Sequence, residues 1–425
     1  MHHWELAVLA VILLGFAAVS GRIEGTSITP AMCFTAAGLA VGVDALGIFD
    51  PEATGESVKL LAEATLTVVL FSDASRINLK ALRQEIGVPA RLLGIGLPLT
   101  IVAGFLLALP LLSRLAWPEA LVLAVVLAPT DAALGQAVVT YPRLPSSVRQ
   151  SLNVESGLND GICVPLFLIA LSVAQAEEGA VGHGHAARLV LEKIGYGVVM
   201  GTIAGVAAAA VVIVAGRHRW ISRDWTQLVP VAAAALAFGS AEGVGGSGFI
   251  AAFVGGIVFG GIRRRRYRDE ADPLLEQLGD LLAAITFVVF GAVLLGPAIG
   301  DATWQVVAYA LLSLTVVRML PVGVAMLGTQ ARRPTVAFLA WFGPRGLASI
   351  VFALLVVEEG GLPGQDKLLT AAFVTVGLSV LAHGVSAAPL SRRYADWVQA
   401  APGAAPVETL ETIDVRWRHR AVEPQ

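Results

Sequence analysis

The sequence has 425 residues, of which 56% are hydrophobic and only 14% charged, and its formal net charge is −3. A soluble domain carries roughly 25% charged residues to cover its surface, and the mean hydropathy here is +0.75, so water is not the main solvent of this chain. Neither the charge nor any basic, aromatic-interleaved stretch points to nucleic acid, and the two cysteines, Cys33 and Cys163, sit in apolar runs without the spacing of a disulfide framework or a metal site.

A bilayer core of about 30 Å needs about 20 apolar helical residues. In chain order, about thirteen candidate spans fall at 4–20, 28–43, 57–74, 89–112, 118–139, 149–175, 187–215, 225–242, 246–262, 274–295, 302–328, 334–357 and 367–390. Met1 to Glu5 lacks the positive n-region of a secretory signal, so the first span is expected to be retained. Residues 1–390 therefore form an all-α polytopic membrane unit, and the polar stretch 391–425 reads as a short cytoplasmic tail, soluble or disordered.

Short cytoplasmic loops collect Lys and Arg. Alternate loops here hold Arg22; Arg76, Lys80 and Arg83; Arg143; Arg217, Arg219 and Arg223; Arg263 to Arg266 with Arg268; Arg332 and Arg333; the tail opens with Arg392 and Arg393. The intervening loops are nearly bare, with Arg114, Glu177 and Glu178, Glu358 and Glu359 as their main charges. The alternation predicts an outer N-terminus and a cytoplasmic C-terminus, and it reads Arg263 to Arg266 as a topology anchor. His183 and His185 fall in an outer loop on this reading.

Five ionisable side chains fall inside spans: Asp131, Glu155, Asp160, Arg318 and Arg345. Unpaired, they would cost roughly 12–17 kcal/mol even on a lenient insertion scale, more than most folds have to spare. They must face a cavity or one another. Three carboxylates against two guanidiniums leave one negative charge, which a single monovalent cation or a proton neutralises. A closed salt-bridge network with one carboxyl permanently protonated is the alternative. Ser156 and Asp160 are four residues apart and share a helix face, while Glu155 and Asn159 share the adjacent one. Ser156 and Asp160 can then offer oxygens to a small hard cation, and Glu155 is free to pair with Arg318, whose planar fork suits a buried carboxylate.

Two spans are interrupted, the fifth by Ala128-Pro129-Thr130-Asp131 and the twelfth by Phe342-Gly343-Pro344-Arg345-Gly346. Proline removes a backbone donor and frees a carbonyl one turn back, and such breaks persist in a membrane only where protein or water satisfies the backbone. With the seventh span as linker, the breaks are fifth in each of two six-span halves, the pattern of an inverted-repeat transporter with a midplane site. Asp131 and Arg345 stand where they offset half-helix partial charges.

Pro129-Thr130-Asp131, Glu155-Ser156-Gly157-Leu158-Asn159-Asp160, Val317-Arg318-Met319-Leu320, Pro344-Arg345-Gly346 and Ser247-Gly248-Phe249 together resemble the NhaP/NHE type of monovalent cation:proton antiporter, over residues 4–390. The resemblance implies the NhaA/NhaP-like fold with two broken crossing helices, a homodimer built on a dimerisation domain and a mobile six-helix core, and funnels reaching the site from both sides. It implies that Asp160 binds Na⁺ and H⁺ in turn, with Thr130, Asp131, Ser156 and Asn159 assisting and Glu155 paired to Arg318. A single carboxylate in the Asn-Asp pair implies electroneutral, one-for-one exchange. Many relatives carry a glutamate in the third span near the inner funnel; the comparable residue here is Asp73. No Gly-x-x-x-x-Gly-Lys-Ser/Thr loop is present, so no ATP and no cofactor is expected beyond the substrate ions.

The sequence leaves K⁺ or Li⁺ in place of Na⁺ open, because the same oxygens suit several monovalent ions. Two rivals stand further off. A passive cation channel would dissipate a gradient without coupling it to protons. An intramembrane aspartyl protease could use Asp131 and Asp160, but two buried arginines are odd companions for it.

Overall fold

The computed structural model describes residues 3–23, 25–49, 51–77, 87–131, 134–177, 183–266, 272–359, 361–400 and 408, and among these the regular structure is helical throughout. The helices are α1 (His3–Ile23), α2 (Pro30–Val41), α3 (Pro51–Arg76), α4 (Gly87–Leu111), α5 (Trp117–Val126), α6 (Gln136–Val139), α7 (Ser146–Glu177), α8 (His183–Arg217), α9 (Arg223–Gly243), α10 (Gly248–Arg266), α11 (Pro273–Gly300), α12 (Trp304–Ala325), α13 (Arg333–Trp341), α14 (Leu347–Glu359) and α15 (Gln365–Ala400). With α5/α6 and α13/α14 as the halves of two split spans, they match the thirteen spans read from the sequence. Seven of them, α1, α4, α7, α8, α11, α12 and α15, are long and apolar enough to cross a membrane by length and composition alone. Lys80, Arg83, Glu178 and Arg268 lie outside the described residues.

Packing sorts the helices into two bundles. The first joins α2 and α3 with α8, α9, α10 and α11; α1 leans on α2 and buries little else. The second joins α4 to α7 with α12 to α15. Each bundle thus takes one block of three spans from each six-span half.

Lipid is as apolar as leucine, so helices in a membrane gain by close backbone approach across small residues. Gly197, Gly201 and Gly205 recur every fourth residue on α8, and a Cβ at each would stand 2.4 to 2.8 Å from a carbonyl oxygen of Ser247, Ala251 or Gly255. Gly256 and Gly260 bring the same helix, α10, equally close to the carbonyls of Phe71 and Ser75 on α3. At the far end of these helices Arg264 donates to the Ile77 carbonyl, Arg263 pairs with Asp272, and Arg76 pairs with Glu276 at 2.7 Å.

Three local readings are revised. The tail does not lose structure at Ser391: α15 continues to Ala400, because Tyr394, Ala395 and Val398 keep an apolar face against α13 and α6 at helical spacing. Farther on, the buried Glu408 accepts from the Arg332 backbone N–H at 3.1 Å and from the Thr335 hydroxyl at 2.6 Å, so it caps α13. The rest of 401–425 lies outside the described residues. His183 and His185 head α8 and do not sit in a loop; their side chains lie outside the described residues. Finally, α12 has an irregularity at Thr315, where φ/ψ of −108° and −86° leave helical values although its N–H and carbonyl keep Leu311 and Met319 as helical partners.

Gly201→Val should destabilise the fold by about 1–3 kcal/mol, because the new side chain meets backbone that cannot rotate away. The thermal midpoint in detergent should fall, while Gly195→Val on the open face of the same helix, with nothing within 4 Å of its Cβ, should leave it unchanged.

Candidate functional site

The two breaks meet each other. α5 stops one turn before Pro129, and α13 stops at Trp341, ahead of Pro344. The unwound segments cross in the second bundle. The Asp131 N–H donates to the Pro344 carbonyl at 2.8 Å. The Asp131 carboxylate accepts from the Leu347 N–H at 2.8 Å and, more weakly, from the Leu134 N–H at 3.4 Å. Arg345 Nη1 donates to the Ala128 carbonyl at 2.6 Å and the Pro129 carbonyl at 3.1 Å. The acid therefore lies on the N-terminus of α14 and the base beyond the C-terminus of α5, which is the favourable sense for both helix dipoles. Each charge serves the other segment's helix. Gly346 is required at this crossing, since a Cβ there would stand 2.1 Å from Asp131 Oδ2.

Glu155 of α7 and Arg318 of α12 form a buried bidentate pair, Nη1 to Oε1 at 2.6 Å and Nη2 to Oε2 at 2.9 Å. Gly343 lets the guanidinium lie against the second break, because a Cβ there would be 2.3 Å from Arg318 Nε. Arg345 feels both members of this pair, so the three form one buried electrostatic group.

On α7 the remaining polar residues turn to the first break. Thr130 Oγ1 lies 3.1 Å from Ser156 Oγ and accepts from Asn159 Nδ2 at 2.6 Å. Asp160 follows on the same helix and is buried. Its Oδ1, like Asn159 Oδ1, has no hydrogen-bond partner. Asp131, and Asp73 from the last turn of α3 in the other bundle, are close enough to act electrostatically on Asp160. Gly161, one residue on, packs against the flat ring of Phe253 on α10.

All of Pro129, Thr130, Asp131, Glu155, Ser156, Asn159, Asp160, Arg318, Pro344 and Arg345 thus gather in one region of the second bundle, and Asp73 approaches them from the first. The charge count resolves accordingly. Glu155 is matched by Arg318, Asp131 is held by backbone N–H groups, Arg345 is held by carbonyls, and Asp160 is the carboxylate with an uncommitted oxygen. Oxygens of Asp160, Ser156, Asn159 and Thr130 offer a hard cation the ligand type it prefers.

Two further residues escaped the sequence reading. Ser379 and His383 of α15 are buried against the second break. A histidine within an apolar span is itself a signal, though a weaker one than an acid or an arginine, because a neutral imidazole leaves no charge for the span to match.

Truncating Arg318 to Ala should destabilise the protein by about 3–5 kcal/mol, since it leaves Glu155 buried alone. The same change in a Glu155→Ala background should cost markedly less. Thermal or chemical unfolding of the four proteins in the cycle reads the difference.

Comparison with known proteins agrees with this geometry. The model of the family described as "Sodium/hydrogen exchanger, transmembrane" matches residues 8–393. The Na(+)/H(+) antiporter NhaP of Pseudomonas aeruginosa is 29% identical over 286 residues, 63% of this chain and 64% of that protein. The K(+)/H(+) antiporter NhaP2 of Shewanella sp. (strain ANA-3) is 23% identical over 390 residues, 91% of this chain and 66% of that protein. The chain thus matches just under two thirds of the length of these relatives. The structure of the sodium proton antiporter MjNhaP1 from Methanocaldococcus jannaschii at pH 8 superposes with a TM-score of 0.75 at 20% identity, covering 92% of this chain and 98% of that one. An electron-microscopy map of the same antiporter gives a TM-score of 0.77 at 19% identity, covering 96% and 100%. At such identity the likeness establishes the fold, the inverted-repeat antiporter architecture with its two broken helices, and the match of the family model over almost the whole membrane unit places the chain in the sodium/hydrogen exchanger family.

Proposed function

We propose that the chain exchanges Na⁺ for H⁺, one for one, at the carboxylate of Asp160. The observation that carries this reading is Asp160 Oδ1, the one buried carboxylate oxygen left without a partner among the described residues, beside a split helix where Glu155 is paired with Arg318 and Asp131 with backbone N–H groups. A proton or a monovalent cation completes the count, and the two compete for the same oxygen. Na⁺ takes ligands from Asp160, Ser156 and Thr130, with Asn159 holding Thr130 in place. Asp131 and Arg345 keep the two breaks open, and Asp73 lends its field from the facing bundle. The surroundings of Asp160, with Asp131 and Asp73 as its charged neighbours, set the pH at which H⁺ ceases to outcompete Na⁺.

The second bundle moves relative to the first, alternately exposing Asp160 to either side. The ion gradients drive this motion, without ATP or any cofactor. The N-terminus faces outward and the C-terminus lies in the cytoplasm, which the arginine-bearing ends of α1, α3, α8 and α10 support. The chain works as a homodimer in the cell membrane. Support comes from α1, whose apolar surface is almost wholly uncovered within one chain.

K⁺/H⁺ exchange is the second reading, favoured by the longer match to the Shewanella K⁺/H⁺ antiporter. One assay separates the readings: dequenching of a pH-sensitive dye in everted vesicles on separate addition of Na⁺, Li⁺ and K⁺, from mildly acidic to mildly alkaline pH. Na⁺ should reverse the pH gradient in the native protein, and Asp160→Asn should abolish the signal while still yielding folded, monodisperse protein. Exchange that survives Asp160→Asn sinks the site, and a response to K⁺ alone moves the assignment to the second reading.

A further inference from the structure

In an unbroken helix the Arg345 N–H would donate to the Trp341 carbonyl, four residues back. The break at Phe342–Gly346 separates these two groups. Two side chains of α15 rejoin them. The Arg345 N–H donates to Ser379 Oγ at 2.6 Å. The Trp341 carbonyl, which also accepts from the Gly343 N–H at 2.8 Å, faces His383 Nε2 at 3.0 Å. Ser379 Oγ and His383 Nδ1 lie 3.2 Å apart, four residues apart on one helix face.

A neutral imidazole has one donor and one acceptor nitrogen. Both ring nitrogens of His383 face a carbonyl, Nε2 that of Trp341 and Nδ1 that of Ser379 at 3.0 Å, so the ring's one hydrogen serves one of them at a time. In the Nε2–H form the ring donates to Trp341, Nδ1 takes the serine hydroxyl's hydrogen, and the path runs without a gap from Arg345 N–H through the Ser379 hydroxyl and the His383 ring to the Trp341 carbonyl. It stands in for the hydrogen bond that the break removed. Trp341 is fixed in turn, with its ring 5.0 Å from that of His383 and its indole N–H donating to Ser386 Oγ at 2.9 Å.

The anchored segment carries the guanidinium that clamps the Ala128 and Pro129 carbonyls. The next residue, Thr130, touches Ser156 and Asn159 beside Asp160. We infer that Ser379 and His383 are positioning residues of the exchange site: they set where Arg345 stands, and through it where the Thr130 oxygen is presented to the cation. This rests on the exchange reading above.

Ser379→Ala and His383→Leu should each raise the apparent KM for the transported cation about fivefold to tenfold, the worth of one hydrogen bond, with less than about a twofold change in maximal rate. Ser379→Thr keeps the hydroxyl and should match the native protein, and His383→Gln, which keeps a donor to Trp341, should recover most of the loss. The two truncations break one path, so the double variant should be no worse than about the poorer single one. Dequenching titrations with Na⁺, Li⁺ and K⁺ read the KM, and stabilisation of the purified protein by the same cations against heating reads binding without turnover. If a truncation does not fold, Ser379→Cys, a weak acceptor of similar volume, takes its place and should show the same KM shift. A native KM in folded Ser379→Ala, His383→Leu or Ser379→Cys overturns the inference, as do losses that multiply in the double variant. A native protein that neither exchanges nor is stabilised by any of the three cations overturns the exchange reading instead.

Discussion

A helix cut open in the middle of a membrane leaves peptide dipoles pointing at nothing, and this constraint organises the whole site. Water cannot repair the cut within hydrocarbon, so protein groups must. Here the repair is reciprocal. The two cuts lie across each other, and each supplies a charged side chain to the helix ends of its counterpart, Asp131 to the start of α14 and Arg345 to the carbonyls after α5. Backbone donors of one segment also reach backbone acceptors of the other, as Asp131 does with Pro344. Each break thus supplies groups that the other lacks.

Once the cuts are mutually satisfied, the bookkeeping of buried charge becomes simple. Glu155 and Arg318 close on each other with two short bonds. Such a buried pair adds little net stability, because desolvation consumes most of the attraction. Its effect is to fix α7 against α12, so that Ser156 and Asn159 face Thr130 and Asp160 stands at the crossing. The odd carboxylate is left over by design of the count, and its environment is set by neighbours that are already committed elsewhere.

Much of this was legible in the sequence. The spans followed from apolar length, the two breaks from Pro129 and Pro344, and the charge imbalance from five residues in otherwise apolar runs. Helical spacing sufficed to separate Glu155 from the Ser156 and Asp160 face. Other features were hidden because their signals are not periodic or not local. The irregularity at Thr315 stands six residues before the proline of its helix, Pro321, and nothing local announces it. The cap on α13 comes from Glu408, more than seventy residues away in the chain. The course of α15 past Ser391 depends on a sparse apolar face, Tyr394, Ala395 and Val398, which a search for uninterrupted hydrophobic length reads as tail. Ser379 and His383 are ordinary residues until the missing hydrogen bond of another helix gives them a partner.

The contact between Gly161 and Phe253 has a mechanical consequence. Helices that pack by ridges set into grooves resist sliding, since side chains must unlock before the axes can shift. At this point α7 presents bare backbone to the face of an aromatic ring on the other bundle. A smooth plane against a smooth plane has no teeth. Lateral displacement there meets a nearly flat steric profile, and the residue that carries the odd charge sits next door to the bearing surface.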